Sequence, residues 1–179
     1  RSARGLLLLA VLCVFSGCAS YQLGAPTALP FKTIYIRPAS NASFAPQAQA
    51  IVSSQVRQQL IRDGRLSLVN DEDAADAVLQ VQLASYQRST GARSSTDTVL
   101  AKDFTLSLSA EISLYHAQQG DFLFKQRSVT GRAKAYTDNP YAADTALNTQ
   151  AYQQSEYQAM PLLARDLGRQ IADQVLGAW

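Results

Sequence analysis

The sequence is poor in the side chains on which most enzymes and metal centres depend. It holds a single histidine, His116, and two cysteines, Cys13 and Cys18. Zinc sites and Ser-His-Asp or Cys-His catalysis therefore have few parts to draw on. The sequence has no Gly-rich phosphate loop, and no pair of carboxylates stands out for acid–base work. Its one dense acidic group is Asp71, Glu72, Asp73 and Asp76. That group lacks the alternating oxygen ligands and central glycine of a calcium loop, so it reads as a solvated loop. His116 is expected at the surface or in a turn at a strand end. These shortages point to a protein that is not an enzyme and uses no metal or cofactor.

Long apolar runs are missing as well. The run from Leu6 to Phe15 would span about 15 Å as a helix, half of a bilayer core. That is too short for a permanent span. With Arg1 and Arg4 before it and Ser16-Gly17-Cys18 after it, it has the form of a secretory signal. The order Phe15-Ser16-Gly17-Cys18 resembles the bacterial lipobox, with Phe15 where leucine is usual. Cleavage before Cys18 and lipid attachment on that cysteine are expected. Two or more acyl chains, palmitate among them, would anchor stably where one binds marginally. The chain opens with Arg1 rather than methionine, so the true start is expected upstream.

The signal also carries the excess charge. Residues 1–17 hold two of the 16 basic residues and none of the 14 acidic ones, which leaves 14 of each sign. A neutral mature chain has no global field to draw it onto nucleic acid. Cys13 leaves with the signal and Cys18 is consumed by lipid, so no disulfide is expected. Residues 18–30, with Gly24, Pro26 and Pro30, read as a lipidated cysteine and tether. Residues 31–179 suit one domain, able at this size to bury roughly 70% of its unfolded surface.

Periodicity organises that domain. Residues 31–36 read as a strand ended by Pro38. Ala48, Ile51, Val52, Val56, Leu60 and Ile61 recur at helical spacing, with Pro46 suited to the first turn and Gly64 to the stop. Residues 66–69 are a short strand candidate, and Leu79, Val81 and Leu83 alternate with Gln80 and Gln82. In residues 104–114 the alternation is strict, with Phe104, Leu106, Leu108, Ala110, Ile112 and Leu114 on one side and small polar residues on the other. One face of that strand belongs on a core and the other in water or on a partner. A turn at Gln118 to Asp121 leads into a strand over 122–135, forming a long hairpin. Leu163, Leu167, Ile171 and Val175 mark a final helix, with Pro161 in its first turn or kinking it. The expected fold is α+β and two-layered: a small, mainly antiparallel sheet with two helices packed on one face.

Two features suit binding. The basic residues Arg88, Arg93, Lys102, Lys125, Arg127, Arg132 and Lys134 fall on or near the central strands, and Arg and Lys are natural donors to phosphate. On a regular strand Lys125 and Arg127 share one face and Arg132 and Lys134 the other, so convergence requires a bulge, expected near Gly131. The stretch 136–158, with Tyr136, Tyr141, Tyr152 and Tyr157, is too long and polar for a simple connection and suits an interface or a loop. Ser107, Ser109 and Tyr141 are the expected partner contacts.

In order, these pieces resemble LptE, the lipopolysaccharide-assembly lipoprotein family of Gram-negative outer membranes. The resemblance rests on Cys18, Tyr21, Leu23 and Gly24, then Leu29-Pro30 and Lys32-Thr33-Ile34-Tyr35-Ile36. Val56-Arg57-Gln58-Gln59-Leu60, Ala75-Asp76-Ala77-Val78-Leu79 and Tyr136-Thr137-Asp138-Asn139-Pro140 continue it. It departs where Gly24 directly follows Leu23 and where Pro161 interrupts an expected helix. The resemblance implies no catalysis, binding of lipopolysaccharide, and a plug inside the outer-membrane β-barrel LptD. Ala19, rather than aspartate, after the cysteine implies the outer membrane, on its periplasmic side. The competing expectation is a lipoprotein activator of a peptidoglycan synthase.

Overall fold

The computed structural model describes residues 29–90, 103–136 and 145–177. In chain order the elements are β1 (Thr33–Ile36), β2 (Ser40–Asn41), α1 (Ala48–Asp63), β3 (Ser67–Leu68), β4 (Ala77–Thr90), β5 (Asp103–His116), β6 (Asp121–Tyr136) and α2 (Thr145–Gly177). The sheet order is β3-β1-β4-β5-β6, with β2 on the same edge of β4 as β1. β4, β5 and β6 are antiparallel, whereas β1 pairs in parallel with both β3 and β4, and β2 in parallel with β4. The sheet is thus mixed rather than mainly antiparallel. Helix α1 is the reason: it carries the chain from β1 over one face to β3, and such a crossover returns a parallel strand.

The alternation in β5 becomes a two-sided strand. Leu106, Leu108, Ile112 and Leu114 are fully buried against Leu163, Leu167 and Ile171 of α2 and Val52, Val56 and Leu60 of α1. Each such side chain contributes roughly 1.5–3 kcal/mol relative to exposure. Gly64 ends α1 in the left-handed conformation, φ 75°, with its N–H donating to the Leu60 carbonyl. Ile61 keeps the helical spacing but lies off the buried stripe, 62% exposed.

Two glycines set how closely the layers approach. A Cβ on Gly131 of β6 would lie 2.6 Å from the backbone nitrogen of Leu167, and one on Gly168 would lie 3.0 Å from the Gln55 Cβ. Consecutive residues of α2 therefore touch the sheet on one side and α1 on the other. The helix also covers the edge of β6. Asp166 accepts the Arg132 backbone N–H at 2.9 Å, and the Ser155 hydroxyl donates to the Tyr136 carbonyl at 2.6 Å. An edge strand so occupied is a poor template for further pairing.

Helix α2 begins much earlier than Leu163 and contains Pro161 in its interior. Most of the stretch 136–158 is consequently helix rather than loop, and Tyr152 packs on Phe104 with ring centroids 5.7 Å apart. His116 is also more enclosed than expected. It is 4% exposed, and its Nδ1 accepts the Gln119 N–H at 3.3 Å as the β5–β6 turn closes over it. The acidic loop is not simply solvated. Asp76 accepts the backbone N–H groups of Lys32 and Thr33 at 3.0 and 2.9 Å and the Gln118 amide at 2.9 Å. It ties the start of β4 to β1 and to the hairpin turn. Glu72 forms a two-bond ion pair with Arg37.

Candidate functional site

Both helices lie on one side of the sheet, which leaves the other side of β4, β5 and β6 open. Cross-strand register aligns its side chains in rows. Ser89, Thr105 and Lys134 form one, and Gln87, Ser107 and Arg132 the next. Ser85, Ser109 and Thr130 follow, then Gln82, Glu111 and Ser128. The Ser109 and Thr130 hydroxyls are 3.0 Å apart. Near the β5–β6 turn the character changes, and Tyr35, Val78, Tyr115 and Phe122 make an apolar row across four strands. Tyr115 meets Phe122 edge-on at 5.3 Å. The open face therefore runs from an aromatic end through hydroxyls and amides to a cationic end.

Bulges decide which basic residues reach this face. In β4 the register steps from Leu83 opposite Ala110 to Ser85 opposite Ser109, so Ala84 is an extra residue. Beyond it the even-numbered side chains point to the helices, and Arg88 pairs with Leu106 on the covered side. There Arg88 meets Glu156 at 3.3 Å, and Glu156 also accepts the Tyr86 hydroxyl at 2.5 Å. Burial, reinforced by that carboxylate, pushes the Tyr86 phenol well above its ordinary value and keeps it a hydrogen-bond donor.

In β6 the shifts fall between Phe122 and Arg127. Gln126 adopts φ 49°, a left-handed conformation rare outside glycine, and its N–H donates to the Ser113 hydroxyl at 3.0 Å. The expected bulge near Gly131 is therefore displaced to Gln126, because Gly131 stays in register to receive α2. Lys125 and Arg127 part as a result. Arg127 turns to the helix side, its guanidinium 4.3 Å from the Phe124 ring centre and donating to Gln174 at 3.0 Å. Lys125 lies on the open side, 4.7 Å over the Phe122 ring. It borders a recess of about 240 Å³ with Gln80, Gln82, Glu111, Ser113 and Gln126.

Of the seven basic candidates, Lys125, Arg132 and Lys134 share the open face, and Arg88 and Arg127 brace the helix layer. Arg93 and Lys102 lie outside the described residues, as do Tyr141 and Cys18. Ser107 and Ser109 stand at the centre of the open face. The aromatic row was not anticipated, although the outward places of Tyr115 and Phe122 flanking a turn were its signal. Among the described residues no group of His, Cys, Asp and Glu could hold a metal ion. No described helix is long and apolar enough to cross a membrane.

The profile of the LptE lipopolysaccharide-assembly family matches residues 31–175, nearly all of the domain. The chain belongs to the LptE family. Solved structures agree on the fold of this LptE-family domain. Lipoprotein B from Nitrosomonas europaea is 19% identical with a TM-score of 0.53, over 88% of this chain and 91% of that one. The hypothetical protein CT253 from Chlamydia trachomatis is 11% identical with a TM-score of 0.56, over 82% of this chain and 96% of that one. No curated protein sequence matches the chain significantly.

Proposed function

We propose that this LptE-family chain is an outer-membrane lipoprotein, anchored through Cys18, that binds lipopolysaccharide and plugs the LptD β-barrel. The observation that carries the reading is the open sheet face. Sheets exposed only to water carry many Lys and Glu residues, whereas this face is mostly Ser, Thr and Gln, with Glu111 between Gln82 and Ser128. Short hydroxyls and amides suit contact with the polar lumen of a large barrel. Lys125, Arg132 and Lys134 on the same face are donors for phosphate groups of lipopolysaccharide. Family membership supports the role in lipopolysaccharide assembly.

Photo-crosslinkers at Ser107, Ser109 and Tyr141 test the plug in cells and should capture a barrel protein. Capture of a murein synthase from the outward face of α1, with none from the sheet, would support the synthase activator instead. For the ligand, combined Lys125→Glu, Arg132→Glu and Lys134→Glu changes should weaken lipopolysaccharide binding. Arg127→Glu, on the helix side, should affect folding more than binding. Unchanged binding in the folded triple variant would remove these residues from the site. For the anchor, Cys18→Ala should release the chain from the outer membrane in cells lacking the partner.

A further inference from the structure

The helix layer carries a concentration of charge of its own, on the side away from the sheet. Leu162, Arg165, Asp166 and Arg169 follow at i, i+3, i+4 and i+7, so they share a stripe of α2 turned away from buried Leu163, Leu167 and Ile171. Gln59 and Arg62 of α1 come alongside, and the six residues line an open cleft of about 490 Å³. Arg62, Arg165 and Arg169 are all exposed. Asp166 is the one acid in the lining, and its oxygens are taken by the Arg132 N–H at 2.9 Å and by Arg169 at 2.7 Å. Among the described residues no ion pair engages Arg62 or Arg165. One large apolar side chain stands among these cations in the lining, Leu162 at 55% exposure.

We propose that this helix-side cleft docks on the phosphate-bearing headgroups of an anionic membrane leaflet. Guanidinium groups are planar, weakly hydrated and matched in geometry to phosphate oxygens. Arg62 and Arg165 belong to different helices and line one cleft, so phosphate groups of a leaflet are met from both helices. Leu162 beside them supplies the apolar contact that holds a peripheral surface at the headgroup boundary. The mature chain balances its charges, so attraction is local rather than global and falls off within a Debye length. The cleft belongs to the helix layer and the open sheet face to the other side of the sheet, so the two surfaces can be altered separately. The inference stands apart from the barrel-plug reading, because it involves none of the same residues.

The test uses the mature chain with Cys18→Ser, so that lipid does not drive binding, and vesicles of phosphatidylcholine with or without phosphatidylglycerol. The chain should partition onto the anionic vesicles, less so as salt rises. Each basic residue at such a surface is worth about fivefold in partitioning. The Arg62→Gln, Arg165→Gln, Arg169→Gln variant should therefore lose on the order of a hundredfold. Arg165→Gln alone, leaving Asp166 and its partners in place, guards against misfolding and should lose about fivefold. Equal partitioning onto neutral vesicles, retention in the triple variant, or full competition by inorganic phosphate at low concentration would each overturn the proposal. Stronger binding to lipopolysaccharide micelles than to anionic vesicles through the same arginines would do so too. Crosslinking from Ser107 and Ser109 reports separately on the plug.

Discussion

The same three strands present two unlike faces. On the covered side Leu106, Leu108, Ala110, Ile112 and Leu114 of β5 are all at 0% exposure, sealed by α2 and α1. One residue over, Thr105, Ser107, Ser109 and Ser113 are only half-exposed. Burial of apolar area holds the first face together and admits little error. The second contributes little to folding, so its composition is free to follow use. The glycines make the same distinction. Gly131 stands on the covered side because a helix backbone arrives there, and its neighbour Thr130 on the open side meets Ser109 through a hydroxyl instead.

The contrast is best tested by matched substitutions followed by chemical denaturation. Leu108→Ala should cost about 2–5 kcal/mol, since it opens a cavity in a fully packed layer. Gly131→Ala should cost about 1–3 kcal/mol, because its Cβ meets backbone of α2 that can yield only if the helix moves. Thr130→Ala, next to it on the open side, should stay within about 0.5 kcal/mol. Equal effects at 130 and 131 would mean that the layers do not touch as closely as the structure has them.

Smaller effects are expected where polar groups fasten one element to another. Glu156→Gln weakens the link between α2 and the sheet by removing the charge that Tyr86 and Arg88 share. A loss of about 1–2 kcal/mol is expected, and less from Arg88→Gln, whose side chain is 61% exposed. Asp76 gives an effect confined by pH. Hydrogen bonds from the Thr33 and Lys32 backbones, and from Thr33 through its hydroxyl, hold its carboxyl below the ordinary aspartate range. The charged form is thus favoured by folding. Its stabilisation is complete above about pH 3.9 and is lost as pH falls through the depressed value. Thermal unfolding of Asp76→Asn should show a lower midpoint at neutral pH and a shallower decline in acid. Parallel acid profiles for the two proteins would assign the decline to other carboxylates.

The elements were legible in the sequence wherever one period ran uninterrupted. β5 alternates without a break over its central residues, and its hairpin partner, the α1 stop at Gly64 and the C-terminal stripe of α2 followed from the same patterns. The parallel pairing of β1 was not, because a strand's period says which face is buried and nothing about its neighbour's direction. The earlier part of α2 was hidden by polar and tyrosine residues, since from Tyr152 to Gln158 no side chain is fully buried and no apolar stripe shows. The site was legible in composition and illegible in geometry. Arg88 looks equivalent to Lys134 in the sequence, but the extra residue Ala84 turns it to the helix side. Gln126 does the same to Arg127 through a left-handed backbone that no glycine announces. His116 was misjudged because a turn closing back over a strand end buries what a strand pattern leaves outside.

The sharpest test of the comparison has the smallest expected effect on stability. Ser107→Glu and Ser109→Glu place charge in the middle of the open face, where the chain alone leaves both positions half-exposed. A carboxylate there can rotate into water, and at 107 it lies across from Arg132, so unfolding free energy should change by no more than about 0.5 kcal/mol. If that face instead seats against the polar wall of a barrel, the same carboxylates are desolvated without a matched donor, which costs a charged group several times more than it costs the free chain. The paired variant should therefore fold normally, keep vesicle binding through the helix-side arginines, and fail to co-purify with a barrel protein. A variant that co-purifies at the wild-type level would assign the open face to solvent and leave its hydroxyl rows without a function in docking. Loss of stability beyond about 1 kcal/mol would mean that the two faces are less independent than the alternation of β5 implies.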